Sequence, residues 1–451
     1  ALLNEGFEFP QQRITVNLAP ADLQKAGPGF DLAIGGALLA ASGQIDPAGL
    51  EDAALVGELS LDGGVRGIRG ALAIGEKAMH DGVRVLAVPA ANAVEAALVS
   101  GLKVAAIERL SGLAAMAAGD WTPQIAQHTD RTDEPEGPDL KDLRGHAFSQ
   151  RALEIAAAGG HNVIFNGPPG CGKTMLARRL PSILPALSES EALEVTRLQS
   201  ITGQLGRRGL VRQRPFRAPH HTISSAGLVG GGTVAKPGEV TLATHGVLFL
   251  DELAEFSTRT LESLRQPLED GTVTVTRSQR THVFPARFML VAATNPCPCG
   301  MGDRRCRCTP PEVARYTRRM SGPLLDRFDI HCHVQRPTAA EVESGPVTCS
   351  RVVRDRIQSA RALQASRFTE INAHCNGQLD GAETRRLLQP PARVRSMLND
   401  AYRRGALSLR GYDRALRVAR TIADLDGDEQ IGDEHMSEAL AFRVSEIGLG
   451  Q

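Results

Sequence analysis

The stretch NVIFNGPPGCGKT, residues 162–174, sets the architecture expected of this chain. Residues 162–165 read as an apolar strand, and Gly167 to Thr174 satisfies the spacing G-x-x-x-x-G-K-[ST]. A helical run then opens at Met175. Glycines at 167, 170 and 172 let backbone N–H groups turn inward around a phosphate at a helix N-terminus. Lys173 is the residue type that pairs with β- and γ-phosphates, and Thr174 the type that reaches Mg²⁺. The chain holds only six lysines, so one at this position carries weight. Strand, loop and helix in that order predict an α/β domain that binds ATP with Mg²⁺ on a parallel sheet.

Outward from this loop, VLFLDE (residues 247–252) places four apolar strand residues ahead of two carboxylates. Such a strand brings its acids to the carboxyl edge of the sheet, beside the phosphates. Asp251 is expected to hold Mg²⁺ and Glu252 to polarise the attacking water. A further apolar strand over 288–293 runs into Asn295, placed to position that water, and residues 329–334 supply another strand. Beyond Pro337 the chain turns arginine-rich and helical, with 352–368 and 412–425 the clearest amphipathic stretches, so a helical lid is expected.

Upstream, residues 1–125 mix short strand-like runs (13–18, 83–88 and 104–107) with alanine-rich helical stretches and predict a second α/β domain without a nucleotide motif. Residues 126–142, including TDRTDEPEGPDLKD, offer little to bury and read as a linker. The expected division is therefore 1–125, linker, nucleotide core 143–337 and lid 338–451. With 51 basic and 51 acidic residues the chain carries no global field, so any contact with nucleic acid must come from a local basic surface. No apolar run reaches the about 18 residues of a membrane span. The opening ALLNEGFEF shows neither an initiator Met nor a basic-then-apolar leader, and a cytoplasmic, N-terminally truncated chain is expected.

Two stretches are free of acids. Between Glu194 and Glu239 lie Arg197, Arg207, Arg208, Arg212, Arg214, Arg217 and Lys236, with His220 and His221 among them, and a glycine-rich second half that reads as a mobile insertion. Residues 271–302 include GTVTVTRSQRTHVF, which alternates like a β-hairpin with Arg277 and Arg280 near its turn. Basic hairpins of this kind contact phosphates without reading bases, and Lys236, Arg277 and Arg280 are the candidate DNA contacts.

The wording of GPPGCGKT, VLFLDE, VAATNPCPCG and GPLLDRFD resembles the magnesium-chelatase-related AAA+ clade. RPFRAPHHTIS and PGEVTLATHGVLFLDE carry a closer similarity to the ComM/YifB family, and the likeness extends over essentially the whole chain. It implies an AAA+ core with a helix-2 insert and a pre-sensor-1 hairpin, a helical lid, and a Lon-protease-like N-terminal domain. By the same resemblance Arg327 in LLDRFD is an arginine finger reaching a neighbouring subunit's ATP. Arg410 is the lid arginine that contacts ATP, with Arg417 the alternative. The resemblance further implies a homo-hexameric helicase acting on single-stranded or branched DNA, driving branch migration in natural transformation alongside recombination proteins. Protein remodelling and a chelatase-type motor are the rival functions. Peptidase chemistry is not available, because Gly29 in KAGPGF and Ile68 in GGVRGIR stand where the Lon pattern has its nucleophile and its general-base lysine.

Four of the eight cysteines crowd into Cys297, Cys299, Cys306 and Cys308, spaced C-x-C, six residues, C-x-C. That set suffices for a tetrahedral thiolate site, and Zn²⁺ is the expected ion.

Overall fold

Val85–Pro89 is buried along almost its whole length because it is the middle strand of a three-stranded parallel sheet. In chain order the strands are Ala53–Leu55 (β1), Val85–Pro89 (β2) and Lys103–Ile107 (β3). This sheet belongs to the first of two compact units, made of Ala1–Thr132 with Ser188–Arg212. The second unit comprises Asp133–Leu187 with Gln213–Gln451. The computed structural model describes residues 1–19, 27–125, 137–206, 209–232, 236–277, 280–302, 305–320, 322–343, 348–371 and 373–444. Among them no helix is long and apolar enough to cross a membrane.

Two expectations for the first unit change. Residues 13–18 form no strand: their apolar side chains Ile14, Val16 and Leu18 are exposed, and no neighbouring strand among the described residues pairs with them. Alternation without a partner does not make a ladder. The helix Glu189–Thr202, expected in the nucleotide core, packs instead in the first unit. There Arg197 pairs with Glu76 at 2.6 Å and Ser200 Oγ donates to the buried Glu95 at 3.2 Å.

The second unit is built on Val163–Asn166 (β4), Phe216–Arg217 (β5) and Val247–Leu250 (β6). A hairpin of Thr272–Arg277 (β7) and Arg280–Pro285 (β8) follows, then Met289–Thr294 (β9) and Ile330–His333 (β10). The main sheet runs β10-β4-β9-β6-β5 with every pair parallel. Residues of β6 and β9 are buried throughout, as a strand covered on both faces requires. Pairing sets the register, with Asn166 level with Thr294 and Leu250 level with Ala292. The carboxyl ends of β4, β6 and β9 therefore open side by side, while the residues before β10 lie at the opposite, amino edge.

Helices Ala147–Gly159, Lys173–Ile183, Ser350–Arg367 and Leu409–Asp426 contribute to one apolar core with this sheet, so the C-terminal helices form no separate compact unit. The expected linker also ends sooner than its composition implies. Residues 126–136 lie outside the described ones, but Leu140 is buried and its N–H donates to Ser350 Oγ at 2.8 Å.

Sheet and helices are locked together by Asp329, a buried carboxylate just before β10. Its Oδ2 accepts the Asn162 N–H at 3.0 Å and lies 3.8 Å from His161 Nδ1. Its Oδ1 faces Arg417 at 3.4 Å and Arg414 at 3.8 Å. Burial alone would raise this carboxyl, but Arg414, His161 and Arg417 hold it far below its ordinary 3.8. A depressed folded pKa means that the unfolded chain binds the proton more readily, so the stabilisation is complete above the unfolded value and lost as pH falls below it. Asp329→Asn is expected to cost about 3–5 kcal/mol by leaving buried guanidiniums without their counter-charge. In chemical denaturation the gap between wild type and variant should stay constant from about pH 8 to 5 and narrow below about pH 4. A gap that stays constant on acidification would refute the assignment.

Candidate functional site

The loop after β4 is shaped by two glycines. A Cβ at Gly167 would sit 2.2 Å from the carbonyl oxygen of Val334, and Gly172 has φ 90°, a left-handed conformation that glycine adopts without strain. The helix Lys173–Ile183 starts directly after Gly172, so its free N–H groups face the loop. Lys173 is nearly buried, and its Nζ donates to Gly167 O at 2.6 Å, Pro168 O at 2.9 Å and Asn295 Oδ1 at 3.1 Å. Burial lowers its pKa against the opposing pull of Cys171, Asp251 and Glu252.

Thr174 Oγ1 donates to Asp251 Oδ2 at 2.7 Å, which pairs the two groups expected to hold Mg²⁺. A hydroxyl and a carboxylate side by side, both oxygen donors, fit a small hard cation. Glu252 is exposed and sits at φ 52°, unusual for a residue with a side chain. Its Oε2 lies 3.5 Å from His221 Nδ1. Lys173, Thr174, Asp251, Glu252 and Asn295 thus gather at the carboxyl ends of β4, β6 and β9. His146, at φ 63°, approaches to 3.3 Å of where a Gly172 side chain would be, a neighbour that no motif had flagged.

Arg327 and Arg410 meet elsewhere. Arg327 is almost fully buried, its backbone carbonyl accepts from Asn162 Nδ2 at 3.1 Å, and its side chain pairs with Glu269. Arg410 Nη2 lies 3.9 Å from the same Glu269 oxygen. Asn162 stands just before β4, so this group sits at the amino edge of the sheet. Arg417, the alternative lid arginine, donates to Gly377 O and Leu379 O at 3.0 and 2.5 Å and faces Asp329.

Two arginines of the acid-free stretch are neutralised by acids outside it. Arg197 pairs with Glu76 and Arg217 with Glu239, and Arg214 donates to the carbonyls of Pro185, His245 and Ala186. Arg207 and Arg208 lie outside the described residues. Lys236 stays exposed, on a two-residue ribbon that pairs Lys236–Pro237 with Gly230–Gly231. In the hairpin, Val273 and Val275 are buried at the root and Arg277 pairs in register with Arg280 at the far end.

The four clustered cysteines converge, with all Sγ atoms within 4.8 Å of one another and neighbours at 3.3, 3.5 and 3.6 Å. Tetrahedral zinc thiolates, at about 2.3 Å per bond, require sulfurs about 3.8 Å apart, so the donor set fits zinc. Backbone N–H groups of Met301 and Arg307 help lower the Cys299 thiol to about 6. The loop leans on the phosphate loop: a Cβ on Gly300 would lie 2.8 Å from Pro169 Cδ.

Family profiles for magnesium chelatase match along the chain: "Subunit ChlI of Mg-chelatase" over residues 1–92, "Magnesium chelatase, subunit ChlI" over 139–342 and "Magnesium chelatase, subunit ChlI C-terminal" over 348–443. The chain is 41% identical to YifB of Escherichia coli (strain K12) over 448 residues, 98% of this chain and 87% of that protein. It is 42% identical to the competence protein ComM of Haemophilus influenzae over 454 residues, 98% and 88% of the two. The chain belongs to the ComM/YifB family. That places it among the magnesium-chelatase-like AAA+ proteins. Similarity to Lon protease 2 of Bacillus subtilis, 28% identity over 181 residues covering 35% of this chain and 33% of that protein, agrees with the α/β fold.

Gly167→Ala tests the loop geometry. Forcing a methyl against the Val334 carbonyl should cost about 1–3 kcal/mol, read as a lower unfolding midpoint in thermal denaturation. An unchanged midpoint would mean that this close approach is absent in solution.

Proposed function

We propose that this chain is one subunit of a hexameric, ATP-driven DNA motor of the cytoplasm, promoting branch migration during natural transformation and homologous recombination. The observation that carries the ring is the polarity of the parallel sheet. Lys173 and its companions stand at the carboxyl edge and Arg327 at the amino edge, separated by the length of β4, about 13 Å at about 3.3 Å per residue. Arg327 and Arg410 therefore serve a nucleotide held by the neighbouring subunit.

In hydrolysis Lys173 exchanges its loop carbonyls for β- and γ-phosphate oxygens, while the N–H groups of Gly170 and Gly172 line the phosphate cradle. Thr174 and Asp251 would hold Mg²⁺, which supplies positive charge to the phosphates. Asn295 orients a water, and Glu252 takes its proton as the water oxygen attacks the γ-phosphorus and the bond to the ADP oxygen breaks. The partner's counterparts of Arg327 and Arg410 neutralise the charge that builds on the γ-phosphate.

DNA is the favoured polymer because Lys236 is exposed, because the hairpin sequence carries Arg277 and Arg280 in a stretch free of acids, and because a relative with a competence name is similar over nearly the whole length. ATP turnover is expected to rise with single-stranded or forked DNA and not with unfolded protein. Replacing Arg277 and Arg280 together by Ala should weaken all DNA sequences alike and lower the log–log salt slope by about 1–2. Stimulation by unfolded protein alone would overturn the DNA reading.

The cysteine cluster is proposed to hold a structural Zn²⁺ that clamps the loop following Asn295. Protein purified without chelator should carry about one zinc per chain, lost in the Cys306→Ser/Cys308→Ser double variant and measured by elemental analysis. A content near zero would remove the metal from this account.

A further inference from the structure

Arg327 is an incompletely satisfied buried cation. Nη1 donates to Pro323 O at 2.5 Å and Nη2 to Glu269, while Nε is buried without a partner. A guanidinium has five N–H groups, so about three remain unspent. The surroundings add positive charge: Arg410 at the same carboxylate, and Arg265 and Arg414, whose buried Nε and Nη1 also lack partners. Arg265 meets Glu262 at 3.5 Å and Arg414 meets Asp329 at 3.8 Å. Burial, and then Arg410, Arg414 and Arg265, pull Arg327 below its usual value against Glu269. Two guanidiniums this close repel unless an anion stands between them.

Glu269 is that anion, and its place in the chain is informative. It lies on the short helix Arg265–Asp270, which ends at Gly271 and leads straight into the hairpin strand β7. Its side chain is about half exposed, so it is not required to fill the core.

We propose that Glu269 is the positioning residue that holds Arg327 and Arg410 together as a two-armed grip for the neighbouring subunit's nucleotide, and that it ties this grip to the root of the hairpin. The proposal rests on the reading that these arginines act in trans. With the Pro323 carbonyl, the carboxylate spends two N–H groups of Arg327 and leaves about three. Loss of its charge lets the two guanidiniums part without disturbing Lys173, Thr174 or Asp251, which stand at the other edge of the sheet.

Glu269→Gln in the full chain tests this. ATP kcat should fall by about tenfold, part of the about 10³-fold that an arginine finger supplies. KM for ATP should stay within about twofold, because the subunit's own phosphate contacts are intact. Mixed with Lys173→Ala subunits, the variant should regain turnover, as Arg327→Ala mixed with Lys173→Ala is expected to do. A Glu269→Gln/Arg327→Ala double variant should be no slower than Arg327→Ala. Should Glu269→Gln fold poorly, Glu269→Asp, which keeps the charge but shortens the reach, is expected to show the same kcat loss at smaller size. Unchanged kcat in both variants, or a defect that mixing does not restore while the Arg327→Ala control is restored, overturns the role of Glu269. Failure of the control mixture overturns the trans reading itself.

Discussion

A single buried carboxylate organises the larger unit. Asp329 accepts the Asn162 N–H at the start of β4 and faces Arg414 and Arg417 from the helix Leu409–Asp426, so it joins the first residue pair of the sheet to the C-terminal helices. The peptide N–H of Asp329 in turn donates to Asn162 O, and Arg443 donates to the carbonyls of Phe328 and Asp329. A buried charge is tolerable only when its partners are fixed, so each partner also fixes the others. Arg327, two residues earlier, inherits its place from this junction. Moving the C-terminal helices as a body would therefore strain the segment that presents Arg327.

What could be read from the sequence was the part written in local rules. A glycine pattern between an apolar run and a helix prescribes a backbone shape, and the structure builds that shape with Gly167 against Val334 and Gly172 at positive φ. The strands over 247–250 and 272–285 were legible from apolarity and alternation, and those at 162–165, 288–293 and 329–334 shift by a residue or so because pairing partners, not composition, set their ends, while the strands 53–55 and 216–217 were not read at all. What was not legible depends on distant residues. Arg197 is neutralised by Glu76, more than a hundred positions away, and Arg217 by Glu239 across a stretch with no acid in between. Local charge counts see only one member of each pair. Residues 13–18 fail for the same reason, since their alternation is strand-like but no strand among the described residues pairs with them.

The loop that follows β9 shows how one short segment can serve two ends. Asn295 accepts from Lys173, and Gly300, five residues on, sits so close to Pro169 that no side chain fits between. The cysteines lie between and beyond these two contacts, drawn to within 4.8 Å of one another. Thiols at that spacing repel one another once ionised. The backbone N–H groups of Met301 and Arg307 lower Cys299 to about 6, whereas, against the N–H of Cys299, burial and the neighbouring thiols push Cys308 up to about 12. A metal would replace that mutual repulsion with a common attraction and stiffen the loop directly against the phosphate cradle.

The polarity of the parallel sheet also decides how a signal could travel. The hairpin rises between Gly271 and Ala286, whose N–H donates to Gly271 O, and β9 begins three residues later at Met289. Its root therefore stands at the amino edge, beside Glu269 and Arg327 and away from the subunit's own Lys173. From that root two paths leave. One follows β9, a fully buried strand held by β4 and β6, to Asn295; such a strand transmits displacement along its axis but resists bending. The other is the two-residue step back through Gly271 to Glu269, a half-exposed carboxylate on a six-residue helix. On the proposed reading, force on the hairpin therefore reaches the grip on a neighbour's nucleotide through a soft connection. It reaches the subunit's own site through a stiff one, an asymmetry that lets a polymer load act mainly on the interface between subunits.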